Sequence, residues 1–517
     1  MKPESLIGVD IGTGSVKAVA VGLDGTLLAQ SSVEHPMERP RPGWAQNDPD
    51  QWYRGVVAAV RELVAGDRVD AAGVQGLSVV SQRDPMVLTD ASYRPLVPAI
   101  SWVDRRTEGE VVELCELMGR PWLIERTGVV PIAGLTLPIL RWLQRHEPDA
   151  WRAGRHLLFA KDYVLRRLTG VDATDVSMPS RSVMNDVRRD DWCPEICAAT
   201  GIDPSWLPRV AGRPWEPLTT LEAEAAETLG LPAGVPVAYG GADDCSATLG
   251  AGGTEVGDVC AGTGTSSDWR LVTDRCEPDS EHARGDLARH VVADRYVFEA
   301  TIESTGSSLR WFRDAFGARD GDDRGFASLL EEAATVPAGA DGLFFFPFVD
   351  GARRAPWYID DASGSFTGVL SGHTRAHFVR AIVEGIAFQY PATLDVLQPD
   401  GVSADGIVLV DGEARSAVWN QLKADVLGVP VRTLAVAESA AVGSAILAGQ
   451  AAGAFGSASE GAQALVRLDR VFEPDPSSHA RYSEIRAAYD EVFATVRESY
   501  ASQAAIAFPD HHPTRES

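Results

Sequence analysis

The first apolar run of the chain, residues 6–9, ends at Asp10 and is followed by a turn at residues 12–15. Apolar and small residues then alternate from Val16 to Ala20 and lead to the dipeptide Asp24-Gly25, which favours a hairpin rather than a helix. The pattern predicts a three-stranded meander over residues 6–31. A related turn, residues 260–267, lies between apolar segments in the second half of the chain.

Glycines allow main-chain N–H groups to approach an anion, and a carboxylate at a strand end can hold the magnesium that accompanies polyphosphate. Two such turns indicate a duplicated nucleotide-binding fold, although each turn alone is also typical of an ordinary hairpin. The P-loop motif G-x-x-x-x-G-K-[ST] does not occur, because lysine is found only at positions 2, 17, 161 and 423. The Rossmann fingerprint is excluded because it needs a third glycine and a following helix.

The remaining apolar periodicity predicts elements that recur in the same order in the two halves. In the first half we predict a strand at 74–79, a short strand at 235–239, an irregular polar segment at 171–192, and helices at 50–64, 104–119, 138–145 and 160–168. In the second half we predict a meander at 256–272, strands near 290–302, at 342–348 and at 407–410, and helices at 304–316, 374–395, 415–427 and 438–445. The small residues of 438–445 favour close backbone packing over contact with a flat ligand.

The composition is that of a globular protein and limits the partners. The 517 residues carry a net charge of -26, which argues against a nucleic-acid or anionic-membrane partner. The six cysteines form no C-x-x-C pair, which is typical of reduced thiols. No basic segment precedes an apolar core at residues 1–30, and no apolar run is long enough to span a membrane, so we expect a cytoplasmic protein.

Two strand ends carry candidate chemistry. Residues 81–84, Ser-Gln-Arg-Asp, follow one predicted strand, at the sheet edge where α/β proteins bind ligands. A solvated turn explains the same residues equally well. The pair Asp243-Asp244 follows two glycines at the end of another strand, where a carboxylate can act as a general base. Asp243 is also a candidate N-cap for the next helix, and the two roles are compatible.

Together these segments resemble the FGGY family of carbohydrate kinases over about residues 5–490. The most specific match is residues 364–369, Gly-Ser-Phe-Thr-Gly-Val, followed by residues 377–384, His-Phe-Val-Arg-Ala-Ile-Val-Glu. Residues 43–49, 161–170, 307–311 and 424–431 fit the family pattern in the same order. The resemblance implies an α/β fold of duplicated ribonuclease-H-like domains, as in actin, hexokinase and Hsp70, flanking a central cleft. We expect domains at 1–248 (sugar side and first phosphate turn) and 249–490 (nucleotide), then a helix end and flexible tail at 491–517.

The resemblance also implies roles for individual residues. Asp243 is expected to be the catalytic base, with Asp244 beside it, and Asp10 to interact with Mg²⁺ through water. The expected substrate contacts are Gln82, Arg83, Asp84, Trp102, Asp243 and Asp244. The expected ATP contacts are Thr13, Gly14, Lys17, Gly264, Thr265, Gly412, Glu413 and Ser416.

The chain departs from the family pattern at two loops. Glu413 lies where the family usually has consecutive glycines, which leaves the nucleotide affinity open. Arg83-Asp84-Pro85 replaces the Met-His-Gly of xylulose kinases and is closer to glycerol kinases, whereas Ile132 replaces a tyrosine of glycerol kinases. We therefore expect ATP- and Mg²⁺-dependent phosphorylation of a small sugar, most simply a ketopentose such as xylulose, with a glycerol or polyol kinase as the alternative. A remoter alternative is a non-catalytic nucleotide switch, and a homodimer is a family-level expectation.

Overall fold

The computed structural model describes residues 4–316, 325–354, 356–359, 361–398 and 404–507. Its strands are β1 (Ser5–Ile11), β2 (Ser15–Gly22), β3 (Leu27–Glu34), β4 (Gln46–Asn47), β5 (Val74–Ser81), β6 (Met86–Thr89), β7 (Ala99–Ile100), β8 (His156–Phe159), β9 (Thr174–Asp175), β10 (Asn185–Asp186), β11 (Asp191–Trp192), β12 (Val210–Gly212), β13 (Pro217–Thr220), β14 (Pro236–Ala238), β15 (Val259–Thr263), β16 (Ser267–Thr273), β17 (Asp286–Arg289), β18 (Tyr296–Ile302), β19 (Phe344–Phe346), β20 (Ser365–Thr367), β21 (Ile407–Val410), β22 (Val431–Leu434) and β23 (Leu468–Phe472).

Its helices are α1 (Pro49–Ala65), α2 (Glu108–Met118), α3 (Arg120–Thr127), α4 (Thr136–His146), α5 (Pro148–Ala153), α6 (Ala160–Thr169), α7 (Pro194–Thr200), α8 (Ala223–Leu229), α9 (Asp243–Gly250), α10 (Gly306–Phe316), α11 (Phe326–Ala334), α12 (Arg375–Ala387), α13 (Gln389–Leu397), α14 (Ala417–Leu427), α15 (Ser439–Ala451), α16 (Ala458–Leu465), α17 (Pro476–Arg497) and α18 (Tyr500–Ala507). Residues 508–517 of the predicted tail lie outside the described residues.

The chain forms two compact units. The first comprises residues 1–256, 272–298 and 436–467, and the second comprises residues 257–271, 299–435 and 468–517. The chain therefore enters each unit more than once. The predicted domain boundaries at 248 and 490 stay predictions.

The two main sheets have the same succession of strand directions. In the first unit, β1 is antiparallel to β2 and parallel to β5, β5 is parallel to β14, and β14 is antiparallel to β13. In the second, β15 is antiparallel to β16 and parallel to β21, β21 is parallel to β22, and β22 is antiparallel to β23. This repeated connectivity is that of the duplicated α/β fold which the resemblance implied.

Helix α15 packs against α9 and β1 through small residues of the first unit. A Cβ atom on Gly443 would lie 1.9 Å from the carbonyl oxygen of Ser246, and one on Gly8 would lie 2.0 Å from that of Ala441. Any side chain at Gly443 or Gly8 would therefore force the two backbones apart. The predicted packing role of residues 438–445 is therefore confirmed, and the helix extends further, to Ala451.

Two predicted elements need correction. Helix α2 begins at Glu108 rather than at residue 104, because the Asp104 carboxylate accepts the backbone N–H groups of Ala45 and Arg106 and holds that segment in a turn. The helix predicted at 374–395 is divided into α12 and α13 at Phe388. The polar segment at 171–192 is irregular as predicted, but residues 173–187 are buried.

The signature residues of the second unit have a structural role. Gly368 has a φ of 80°, and a Cβ there would lie 2.3 Å from the carbonyl oxygen of Gly342. Glu384 on α12 is buried, pairs with Arg380 at 2.7 Å, and accepts the backbone N–H of Gly339. These residues fix how α12 meets the loops around it.

Candidate active site

The carboxyl ends of the parallel strands β1, β5 and β14 present the polar residues of the first unit. Asp10 is the penultimate residue of β1, residues 82–84 follow β5, and Asp243 opens α9 after β14. Between β14 and α9 the chain turns at Gly240, with a φ of 66° and a Cβ position only 1.9 Å from the Val79 carbonyl oxygen. Only glycine fits this position, and the turn aims the start of α9 at the strand ends.

Asp243 lies in a negative environment. Withdrawal from water, together with the nearby Asp244 and Asp10 carboxylates, raises the pKa of Asp243 well above its ordinary value, and Arg83 opposes the shift. Like charges that share a site shift a carboxyl pKa in this direction. The pKa of Asp243 is therefore higher than that of an exposed aspartate, and the Asp10 carboxylate contributes to the shift.

The predicted N-cap is displaced by one residue. Ala242 occupies the cap position of α9, and Asp243 is the first helical residue. Asp243 Oδ1 accepts the backbone N–H of Asp244 at 2.9 Å, and Asp244 Oδ1 accepts that of Cys245 at 2.8 Å. Both carboxylates therefore lie at the positive end of the helix dipole.

The predicted substrate residues after β5 are buried and differ in their partners. Arg83 forms an ion pair with Asp244, while Asp84 lies 3.7 Å from Arg181. Gln82 is 2 % exposed, and neither polar atom of its carboxamide bonds to another described residue. A buried carboxamide without partners is costly, so Gln82 is suited to bind a polar ligand.

The first glycine turn is closed by the backbone N–H of Gly12, which donates to the Ser15 carbonyl oxygen at 3.0 Å. A Cβ on Gly14 would meet nothing within 4 Å, so the turn is open on that side. Trp102, 41 % exposed, donates its indole N–H to the Thr13 hydroxyl at 2.9 Å. Lys17 forms an ion pair with Glu438 at 2.7 Å.

The second glycine turn lies between β15 and β16 in the second unit. The N–H of Gly306, the first residue of α10, donates to the Gly264 carbonyl oxygen at 3.0 Å, and that of Thr305 donates to the Thr265 carbonyl oxygen at 3.2 Å. A Cβ on Gly264 would meet nothing within 4 Å. This turn is therefore also open on one side and supported from behind.

Glu413 points into the second unit. It is 7 % exposed, and its Oε2 lies 2.8 Å from the Lys423 ammonium and accepts the Tyr390 hydroxyl at 3.2 Å. Gly412 beside it would meet nothing within 4 Å if it carried a Cβ, so the loop remains open there. Ser416 caps α14, since its hydroxyl accepts the Trp419 N–H at 3.3 Å.

The position before this loop is strained. Asp411 has φ 71° and ψ -158°, a conformation that is essentially restricted to glycine. Asp411 thus adopts a backbone conformation that glycine would adopt without strain. Such strain persists only where the surrounding structure imposes it, and it is commonly found at ligand-binding loops.

Several contacts at these loops involve residues that the sequence did not single out for a role in the site. They are Arg181, Glu438, Tyr390, Lys423, Lys161 and Ser177. The scarcity of lysine was a usable signal, because the sequence has lysine at only four positions and two of them, Lys161 and Lys423, lie within predicted helices.

No group of three or more His, Cys, Asp or Glu side chains is placed to hold a metal ion among the residues that the structure describes. The Asp10 and Asp243 carboxylates interact electrostatically, and such hard oxygen donors suit Mg²⁺ when phosphates and water complete the coordination. Of the helices described, none has the length and apolarity needed to cross a membrane.

Comparisons with known proteins bear on the family and the fold of the chain. The family model "FGGY family of carbohydrate kinases, N-terminal domain" matches residues 5–250, and its C-terminal counterpart matches residues 259–452. A xylulose kinase of Bacillus subtilis is 29% identical over 95% of this chain and 97% of its own length. An autoinducer-2 kinase of Yersinia enterocolitica is 31% identical over 94% of both chains. The crystal structure of a xylulose kinase from Rhodospirillum rubrum is 32% identical, with a TM-score of 0.87 over 96% of this chain and 100% of that one.

Proposed function

The chain belongs to the FGGY family of carbohydrate kinases, and we propose that it transfers the γ-phosphoryl group of ATP to a hydroxyl of a ketopentose such as xylulose. It is accordingly a phosphotransferase, so the alternative of a non-catalytic nucleotide switch falls away. The proposed substrate rests on the relatives named xylulose kinases. The observation that carries the proposed chemistry is the position of Asp243, which opens α9 at the carboxyl ends of the parallel strands where β1 also presents Asp10.

ATP would be held by the open glycine turns. Thr13, Gly14 and Lys17 of the first turn, and Gly264 and Thr265 of the second, are the proposed phosphate contacts. The loop from Gly412 to Ser416 is proposed to face the adenosine. Glu413 is proposed to support this loop from the interior of the second unit, through its ion pair with Lys423. Mg²⁺, held by Asp10 through water, would neutralise phosphate charge.

The proton of the acceptor hydroxyl would pass to Asp243. Phosphoryl transfer requires in-line positioning, neutralisation of charge and a base directed at the hydroxyl. Gln82 has free donor and acceptor atoms, and Asp84 and Trp102 lie on neighbouring loops, so these side chains are proposed to bind sugar hydroxyls. Arg83 would act through its ion pair with Asp244, which holds that carboxylate beside Asp243.

Replacing the base tests this assignment. We expect Asp243→Asn to fold normally and to lose about 10²–10⁴-fold in kcat, because the amide cannot accept the proton. Steady-state rates and thermal melting would be measured together. Asp203→Asn removes another carboxylate that caps a helical turn and should leave kcat unchanged. Near-wild-type turnover by Asp243→Asn would remove Asp243 as the base.

The acceptor is tested by a coupled assay of ADP release. The panel contains D-xylulose, L-ribulose, glycerol, erythritol, ribitol and autoinducer-2. We expect the highest kcat/KM with D-xylulose. A preference for glycerol or another sugar alcohol would favour the alternative suggested by Gln82-Arg83-Asp84. The cytoplasmic location and the homodimer stay predictions.

A further inference from the structure

Lys161, the second residue of α6, is completely buried in the first unit. Its ammonium group has three partners: Asp162 Oδ1 at 2.6 Å, Asp175 Oδ2 at 3.0 Å, and the carbonyl oxygen of Tyr239 at 3.1 Å. The contacts with Asp162 and with the Tyr239 carbonyl are hydrogen bonds, and the contact with Asp175 is an ion pair. The third contact is the informative one, because Tyr239 begins the loop that leads to Asp243.

The same network reaches the other end of that loop through Ser177. Asp175 Oδ1 accepts both the backbone N–H and the hydroxyl of Ser177. The Ser177 oxygen in turn accepts the backbone N–H of Ala242 at 2.9 Å. Ala242 is the residue immediately before Asp243. Residues 239–242 are therefore held at their first carbonyl and at their last N–H by one chain of contacts.

A second branch connects the network to the loop after β5. The backbone N–H of Lys161 donates to the Ser81 hydroxyl at 3.1 Å, and the Ser81 N–H donates to the Gly241 carbonyl oxygen at 3.2 Å. Ser81 is followed directly by Gln82. One buried system thus supports both the proposed base and the first proposed sugar contact.

We propose that Lys161, Asp175 and Ser177 are positioning residues, which fix the backbone on which the Asp243 carboxylate stands relative to the acceptor hydroxyl. None of the three is assigned a contact with substrate. Their effect on the rate comes through geometry, because a misplacement of about 1 Å at a reacting group can cost about 10²-fold. The inference rests on the proposed function of Asp243.

The test is Ser177→Ala in the full chain, assayed with the best acceptor of the panel. This change removes the oxygen that accepts the Ala242 N–H and keeps the Lys161 ion pairs. We expect kcat to fall about 10- to 100-fold while KM for ATP changes by less than about 2-fold. The matched control is Ser182→Ala. Ser182 is equally buried in the same segment, and its hydroxyl also accepts one backbone N–H, that of Met184, at 3.1 Å.

Ser182→Ala should lower the melting temperature as much as Ser177→Ala does and leave kcat unchanged. In the Asp243→Asn background, Ser177→Ala should cause no further loss, since the group it positions is already gone. Equal kcat values for the two alanine variants, a loss that appears only in KM, or an additive loss with Asp243→Asn would each overturn the inference. Failure of the wild-type protein to phosphorylate any acceptor would count against the proposed function instead.

Discussion

Each unit contains a fully buried lysine that contacts a loop of the candidate site, Lys161 in the first unit and Lys423 in the second. The charges of the two lysines are balanced differently. Burial lowers the pKa of Lys161, but its two carboxylate partners outweigh this and leave the pKa above the ordinary value. Burial also lowers the pKa of Lys423, and there Glu413 is the single carboxylate partner, so the pKa stays below the ordinary value. The first lysine is needed to balance an excess of negative charge, whereas the second belongs to a one-to-one pair.

This difference matters because buried ion pairs are weak evidence for stability. Removing one partner of such a pair is costly, while replacing the whole pair by groups of suitable shape is often neutral. Lys161 contacts more than its two carboxylate partners, since its ammonium group also donates a hydrogen bond to the Tyr239 carbonyl oxygen. Lys423 packs over Trp419 at 4.6 Å and contacts Glu413, so its role is more local.

The largest effect should follow from Lys161→Met. Asp162 and Asp175 would remain buried without a cation, and breaking a buried pair typically costs about 3–5 kcal/mol. Burial already raises the pKa of Asp162 to about 6 although Lys161 opposes the shift, so the ionised carboxylate would be still less favourable without Lys161. Urea denaturation should show a large loss in the free energy of unfolding. A loss below about 1 kcal/mol would mean that Lys161 contributes no more than a surface residue.

A smaller effect is expected for the Lys423 pair, and its pattern is more informative. Lys423→Met alone leaves Glu413 buried and unpaired, and we expect a loss of about 3 kcal/mol. Glu413→Gln combined with Lys423→Met removes both charges at nearly constant side-chain volume and keeps an acceptor for the Tyr390 hydroxyl, so the double variant should lose clearly less stability than Lys423→Met alone. Denaturation of the four proteins in this double-mutant cycle gives the coupling energy.

Additive losses in that cycle would show that the two side chains do not act as a pair. The KM for ATP is a second measurement on the same proteins. Because the Glu413 carboxylate points inward and Gly412 is open, the double variant should bind ATP about as well as the wild type.

The helices that carry the two lysines, predicted at 160–168 and 415–427, and several other local elements were predictable from the sequence, and the partners of the lysines were not. The turn at residues 12–15 and the helix at 50–64 follow from local turn chemistry and from the apolar stripe that buries Trp52 and Val56. The contact of Asp175 with Lys161, and that of Glu438 with Lys17, join residues whose separation no local pattern encodes. Tertiary packing alone decides which distant segments meet.

Segment 171–192 shows what composition leaves undetermined. Its polar residues predicted an irregular segment and gave no indication of its burial, and Asp175, Ser177 and Ser180 are completely buried. Polar side chains can be buried when their hydrogen bonds are made to one another, and those bonds are not visible in the composition. The direction of the Glu413 side chain was likewise not determined by the sequence. A charged residue in this loop suggested a side chain facing the nucleotide, and its carboxylate instead pairs with Lys423 inside the second unit.

The smallest expected effect is in the pH dependence of stability, and it has opposite signs for the two lysines. The folded-state pKa of Lys423 lies below the ordinary 10.5, so above that folded value the unfolded chain binds more protons and the free energy of unfolding rises with pH. The contribution of Lys161 is fully present below 10.5 and is lost only as the pH rises through its higher folded value.

Denaturation of the wild type and the Glu413→Gln/Lys423→Met variant across the alkaline range below about pH 9 isolates the contribution of Lys423. A tyrosine with the ordinary pKa of 10.0 keeps its proton almost completely below about pH 9, so the raised pKa of Tyr390 adds little slope in that range. The difference in free energy of unfolding should grow in favour of the wild type as the pH rises, because only the wild type carries the depressed lysine. Parallel curves would mean that Lys423 is as well neutralised as Lys161, and the proposed difference between the two units would be wrong.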